Sequence, residues 1–112
     1  MSNVRSMVAK GEFTRDLSLS GKTDVISSLV YEADHFQVVI SFRPIEKTLT
    51  QKGFYEYCKA NEKEEDSVEE MAQAILVDLF KIIEPNFMTV QIVRSFDQVT
   101  LEAVAQKGAE QS

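Results

Sequence analysis

The 112-residue sequence contains one cysteine, one histidine, two prolines, four glycines and no tryptophan, and its 12 Lys and Arg are outnumbered by 18 Asp and Glu. Each shortage excludes something. Cys58 as the lone thiol allows no intrachain disulfide, which suits a reducing, cytoplasmic setting. Nothing near it in sequence makes it a thiolate, so it reads as a small buried hydrophobe. His35 as the lone imidazole rules out a His- or Cys-built metal cluster, and no EF-hand spacing is present, so no metal site is expected beyond what carboxylates alone can hold. A net charge of −6 with a pI near 4.8 and no basic stripe argues against nucleic acid as a partner. No run approaches the ~20 apolar residues that span a bilayer, and the N-terminus lacks a signal-type apolar stretch, so no membrane partner is expected. No glycine-rich loop is present to cradle a dinucleotide phosphate.

What is there is globular. Hydrophobic residues make up 44% of the chain and seven are Phe, enough for one domain burying roughly two-thirds of its unfolded surface. The domain is placed at 12–105, between polar tails at 1–11 and 106–112 that are expected to be flexible. "EFTRDLSLS" (12–20) alternates weakly and reads as a first strand. Residues 24–34 read as an apolar-leaning loop. In "FQVVISFRP" the apolar Phe36, Val38, Ile40 and Phe42 share one face, and Pro44 ends the strand for want of an N–H. A helix around 48–60 is weakened by Gly53, which costs about 1 kcal/mol against alanine. The acidic run 61–70 reads as a solvated loop and helix start. A stronger helix opens on a capping box, Ser67 with Glu70, and carries a stripe of Val68, Met71, Ala72, Ile75, Leu79, Ile82 and Ile83 before "EPN" stops it. A hairpin closes the chain. Met88, Val90, Ile92 and Phe96 share a face, the turn falls at Asp97-Gln98, and Val99, Leu101, Ala103 and Ala105 return inward. The order is β-β-α-α-β-β, an α+β fold with one face of an antiparallel sheet covered by two helices.

That order and the Pro44-to-Pro85 spacing resemble the tunnelling fold (T-fold). Within it the chain is most similar to the 7-cyano-7-deazaguanine (nitrile) reductases of queuosine biosynthesis. That family carries a Cys-Pro loop, an acid before an alternating strand that ends in proline, a His-Glu pair at the second helix, and a helix ending "DL…P". Asp34, Pro44, Glu69 and "DLFKIIEP" (78–85) fit this pattern without a gap from the loop to Pro85. The resemblance covers residues 24–105, about three-quarters of the chain. It implies a T-fold whose subunits join sheets edge to edge into a ring or barrel, with the ligand bound between subunits. It also places the family's acid on Asp34, its nucleophilic cysteine on Ser27 and the following proline on Ser28. A substrate-contacting glutamate falls on Thr50, the His-Glu pair falls on Val68 and Glu69, and two NADPH-associated lysines fall on Lys52 and Tyr55.

Nitrile reduction of that type needs a thiolate that adds to the nitrile carbon, an acid that protonates nitrogen, and two hydrides from NADPH. A serine hydroxyl is a weak nucleophile without an activating base, and thiol, histidine and one glutamate are replaced together. The expected function is therefore a diverged T-fold protein that binds a small planar heterocycle of purine, deazapurine or pterin type, without a cofactor. Glu69 would be the anchor, because a carboxylate accepts two parallel N–H bonds from a guanine-type edge. Two alternatives stand beside it: a structural or regulatory subunit with a dead pocket, and an active reductase using NADPH. Each residue also has a plainer reading. Asp34 is a turn residue as readily as a site acid, and Glu69 is a first-turn charge favoured by the helix dipole. Ser27 is a loop serine, His35 a strand-edge histidine, and Lys52 an exposed helix lysine.

Overall fold

Alternation in Phe36–Arg43 sets the architecture. Val38, Ile40 and Phe42 are buried on one side, while Gln37, Val39, Ser41 and Arg43 lie on the other, half-buried. The computed structural model describes residues 13–19, 25–61 and 67–108. The elements are β1 (Thr14–Asp16), β2 (Ser27–Ala33), β3 (Phe36–Arg43), β4 (Lys47–Leu49), α1 (Gln51–Ala60), α2 (Val68–Ile83), β5 (Phe87–Phe96) and β6 (Val99–Gly108). The main sheet runs β2-β3-β5-β6, antiparallel throughout, and both helices pack on one face. This is the expected T-fold-like order, β-β-α-α-β-β.

Its first strand is not the expected one. Residues 27–33, read from sequence as loop, form β2 and pair with β3 from Ser27↔Phe42 to Ala33↔Phe36. The reason is positional: β2 is an edge strand, so Val30 stays 54% exposed on the open face and blurs the apolar/polar alternation. The weak strand near 12–20 shrinks to β1, which pairs with β4 in a separate two-stranded ladder, Thr14↔Leu49 to Asp16↔Lys47. The first helix begins at Gln51, because Lys47–Leu49 belongs to β4. At the other end β6 runs to Gly108, three residues past the expected domain limit, pairing Gly108 with Phe87. Of the expected tails, 106–108 is strand rather than tail, while 1–11 and 109–112, like residues 62–66 of the acidic run, lie outside the described residues.

Helix α2 follows its sequence closely. Ser67 Oγ accepts the Glu70 N–H at 3.1 Å, and Glu70 Oε1 accepts from the Ser67 N–H at 3.4 Å, closing the capping box. Glu84 in a left-handed conformation (φ 46°) ends it, its N–H returned to Phe80 O at 2.9 Å. The stripe Val68, Met71, Ala72, Ile75, Leu79 and Ile83 is buried against Ile40, Val90 and Ile92, each of its side chains larger than alanine contributing about 1.5–3 kcal/mol. Small residues Ala103 and Ala105 lie partly buried against the same core. The helices are tied directly: the Tyr57 hydroxyl, at 0% exposure, donates to Asp78 Oδ2 at 2.8 Å. Burial first, and that hydrogen bond second, push the Tyr57 phenol far above its usual pKa.

Gly53 has a specific job. A Cβ there would lie 2.7 Å from Phe13 Cα and 2.9 Å from Phe13 O, so α1 rides on the segment entering β1 closer than any other residue allows.

Candidate functional site

The sheet has two ends, and the candidate residues divide between them. Asp34 lies in the two-residue β2–β3 turn, with Ala33 paired to Phe36 on either side of it. Its neighbour His35 takes the left-handed conformation (φ 63°), and its backbone carbonyl accepts the Ser95 N–H at 2.9 Å. The two side chains therefore do not alternate across a strand; both sit exposed on a turn. Asp34 is a turn residue by geometry, and it stands at the end of the sheet over which α2 begins. Arg94 marks that junction. Its Nη2 lies 3.1 Å from Met71 Sδ in the second turn of α2, and its guanidinium is 5.8 Å from the Phe36 ring centroid.

Ser27 is at the other end. It begins β2 opposite Phe42, on the helix-covered face. A seven-residue strand separates it from Asp34, a distance of about 20 Å at ~3.3 Å per residue. Within one chain the structure does not bring Ser27 and Asp34 together. Ser28, on the open face, is hydrogen-bonded to Ser41 Oγ at 3.0 Å.

The helix residues have clear places. Thr50 is the N-cap of α1: its Oγ1 accepts the Gly53 N–H at 3.0 Å and lies 3.4 Å from Phe13 O. Its hydroxyl serves the backbone. Lys52 is exposed in the first turn of α1 and Tyr55 is 53% exposed one turn later. Glu69 is exposed in the first turn of α2. It lies two residues from the buried Met71, about 200° around the helix, so its carboxylate faces away from the sheet of its own chain. Asp34 and Glu69 thus share an end of the molecule without sharing a cleft within it. Val68, beside Glu69, is wholly buried.

Two open clefts flank β2. One, of about 320 Å³, lies between the β2 edge and α1, walled by Leu29, Tyr31, Gln51, Phe54 and Tyr55. The Tyr31 and Tyr55 rings there are tilted at 52° with centroids 6.0 Å apart. The other, of about 270 Å³, adjoins the Asp34 turn and is lined by Glu32, Ala33, His35, Phe36, Gln37 and Ser95 among others. Sequence reasoning missed the residues most involved in these features. Arg94 is a charge within the apolar alternation of β5, and that break was the available signal. Tyr31 went unread because its strand did. No three His, Cys, Asp or Glu side chains gather into a metal site among the described residues, and none of the described helices is long and apolar enough to cross a membrane.

No family model matches the sequence, and no curated protein does. The fold does have solved counterparts. The chain is similar to the crystal structure of the archaeosine synthase QueF-Like in the apo form, with a TM-score of 0.59 and 19% identity over 80% of this chain and 95% of that one. At that identity the likeness establishes the fold, an α+β T-fold-like arrangement related in structure to a QueF-like protein.

Proposed function

We propose that this chain is a diverged QueF-like T-fold subunit that assembles into a ring and binds a small planar heterocycle of purine, deazapurine or pterin type, without nitrile reduction. The observation that carries the reading is the fold likeness to a QueF-like archaeosine synthase, taken together with Asp34 and Glu69 at matching positions. In this reading Glu69 accepts paired N–H donors from the ring edge. Its carboxylate points away from its own sheet, which suits a ligand held between neighbouring chains. Asp34 and Thr50 are the further contacts the resemblance assigns, although Thr50 already caps α1.

Ser27 argues against reduction, because it offers a hydroxyl where addition to a nitrile carbon needs a thiolate. NADPH has no glycine-rich cradle, and Lys52 alone is a weak point of attachment. The same facts favour a second reading, a structural subunit whose pocket is dead.

Calorimetry with guanine, 7-deazaguanine and pterin separates the two. Binding by the wild type, weakened roughly ten- to a hundredfold in Glu69→Gln for a lost charged hydrogen bond, supports the ligand-binding reading. No binding to the wild type, or equal binding by the variant, refutes it. NADPH oxidation with the deazaguanine nitrile is expected to stay at background; turnover would overturn the reading of Ser27.

A further inference from the structure

A carboxylate such as Glu69 can hold one polar edge of a planar ligand, but a heterocycle also has two flat faces. We propose that the cleft between β2 and α1 takes one of those faces, with Tyr55 as the stacking wall and Gln51 and Glu32 at the ligand's polar edges. The inference rests on the ligand-binding reading and adds to it the surface on which the heterocycle lies.

An exposed aromatic side chain is informative when it borders a concavity. Tyr55 does. It is 53% exposed and walls the cleft of about 320 Å³ together with Leu29, Tyr31, Gln51 and Phe54. Phe96 is more exposed, at 80%, but it stands at the end of a hairpin and lines neither cleft. Helix α1 buries Phe54 and Tyr57 in the core, and its geometry sends Tyr55 to the flank beside β2. Tyr31 is buried and supports Tyr55 from the strand, the two rings tilted at 52° with centroids 6.0 Å apart. Rings so related do not overlap in parallel, so Tyr55 keeps area for a ligand.

Size and polarity narrow the occupant. A cleft of about 320 Å³ is at the lower end of ligand sites, which run ~300–1,000 Å³, and suits one bicyclic heterocycle rather than a dinucleotide. Gln51 brings an amide with two donors and an acceptor, whereas the Glu32 carboxylate only accepts. Both border the cleft. Glu32 Oε2 accepts from Gln37 Nε2 at 3.0 Å, which orients the carboxylate. A lactam or amidine edge, with N–H groups beside an acceptor, matches that pair. Glu69 of the same chain stands elsewhere. Asp78 points to α1, where its Oδ2 accepts from the Tyr57 hydroxyl at 2.8 Å, and Glu69 lies about 180° around α2 from Asp78. It therefore faces away from α1 and from this cleft. In the ring assembly, a Glu69 that reaches a ligand stacked on Tyr55 belongs to another copy.

Calorimetry with guanine, 7-deazaguanine and pterin is the first test. Tyr55→Leu keeps apolar bulk and removes the π face, and should weaken binding roughly five- to a hundredfold, the range for one lost base–aromatic stack. Tyr55→Phe should bind as the wild type does. Unchanged urea midpoints in both variants exclude a packing role as the cause. A second measurement needs no variant at the site. The chain has three tyrosines, Tyr31, Tyr55 and Tyr57, so 3-fluorotyrosine labelling gives three fluorine resonances, assigned by replacing each with Phe. Saturating 7-deazaguanine should move the Tyr55 resonance most and Tyr31 less, and should leave the buried Tyr57 in place. Binding that leaves the Tyr55 resonance unmoved, or Tyr55→Leu binding as tightly as the wild type while Glu69→Gln binds less, overturns the Tyr55 site and leaves the ligand-binding reading standing. A wild type that binds none of the three compounds overturns both.

Discussion

Replacing Gly53 by alanine sets two effects of opposite sign against one another. Helix propensity alone favours the change: alanine in the third position of α1 gains about 1 kcal/mol over glycine. Packing opposes it. The new methyl would sit 2.7 Å from Phe13 Cα, 2.8 Å from Phe13 Cδ1 and 2.9 Å from Phe13 O. Two of those atoms are backbone, in a segment whose carbonyl also takes the Thr50 N–H at 3.0 Å, so rotation of the Phe13 ring relieves only one contact of the three. Overpacking of this kind costs about 1–3 kcal/mol, occasionally more, and rigid backbone places it at the upper end. The expected net effect is a loss of about 1–2 kcal/mol, or roughly 4–8 °C in Tm at about 4 °C per kcal/mol for a domain of this size. Urea denaturation reads it as a lower midpoint at unchanged slope. A second variant isolates the cause: in a Phe13→Ala background the Gly53→Ala penalty should shrink without vanishing, because Cα and O remain. Stabilisation of the single variant by about 1 kcal/mol, as helix propensity alone would give, would refute the close approach of α1 to Phe13.

Ser67→Ala removes one half of the capping box and should cost about 1 kcal/mol in a urea melt, with Glu70→Ala costing less in the Ser67→Ala background than alone, since the two groups act as a unit. Tyr57→Phe removes the bond to Asp78 Oδ2 and should cost about 1 kcal/mol at pH 7. The raised phenol pKa carries its own pH signature. The unfolded chain ionises near pH 10 while the folded Tyr57 keeps its proton, so above pH 10 the folded state binds more protons and stability falls by up to about 1.4 kcal/mol per pH unit. Below pH 10 this contribution is fully present, and Tyr57→Phe should flatten the alkaline slope; an unchanged slope would place the effect on other groups.

The most legible parts of the sequence were those whose signal is local. The capping box at Ser67 and Glu70, the stripe of α2 and the Asp97-Gln98 turn each rest on residues within one or two turns of one another, and each stands where the pattern put it. β2 was not legible because its signal is shared with a neighbour. Leu29 and Tyr31 are core residues only by virtue of Ile40 and Val38 across the ladder, while Val30 is apolar on the open side. Gly53 was misread for the same reason: its cost to the helix is local, and its use, contact with Phe13 forty residues earlier, is not. The site shows the same division. Asp34 was identified as a candidate, but its distance from Ser27 depended on recognising β2 as a regular strand. The orientation of Glu69 depended on which face of α2 met the sheet.

The positions that depart from the reductase pattern share a property that the matching ones lack. Ser27 is laddered to Phe42 on the covered face, Thr50 caps α1 through Gly53, and Val68 is fully buried at the first turn of α2. Asp34 and Glu69 are exposed, on a turn and on the outer face of a helix. Where the resemblance would place a thiol, a carboxylate and an imidazole, this chain has residues that serve the fold, and the two acids that fall on matching positions lie exposed, where they are expected to contribute little to stability. The contrast is measurable. Val68→Ala removes two methyl groups from a closed core site and should cost on the order of 1–3 kcal/mol. Asp34→Ala should stay within about 0.5 kcal/mol of the wild type, as exposed substitutions do, and Glu69→Gln should lose at most a dipole contribution of ~0.3–1 kcal/mol. If the two acids instead prove as costly to replace as Val68, their role is structural, and the case for a ligand between neighbouring chains loses its anchor.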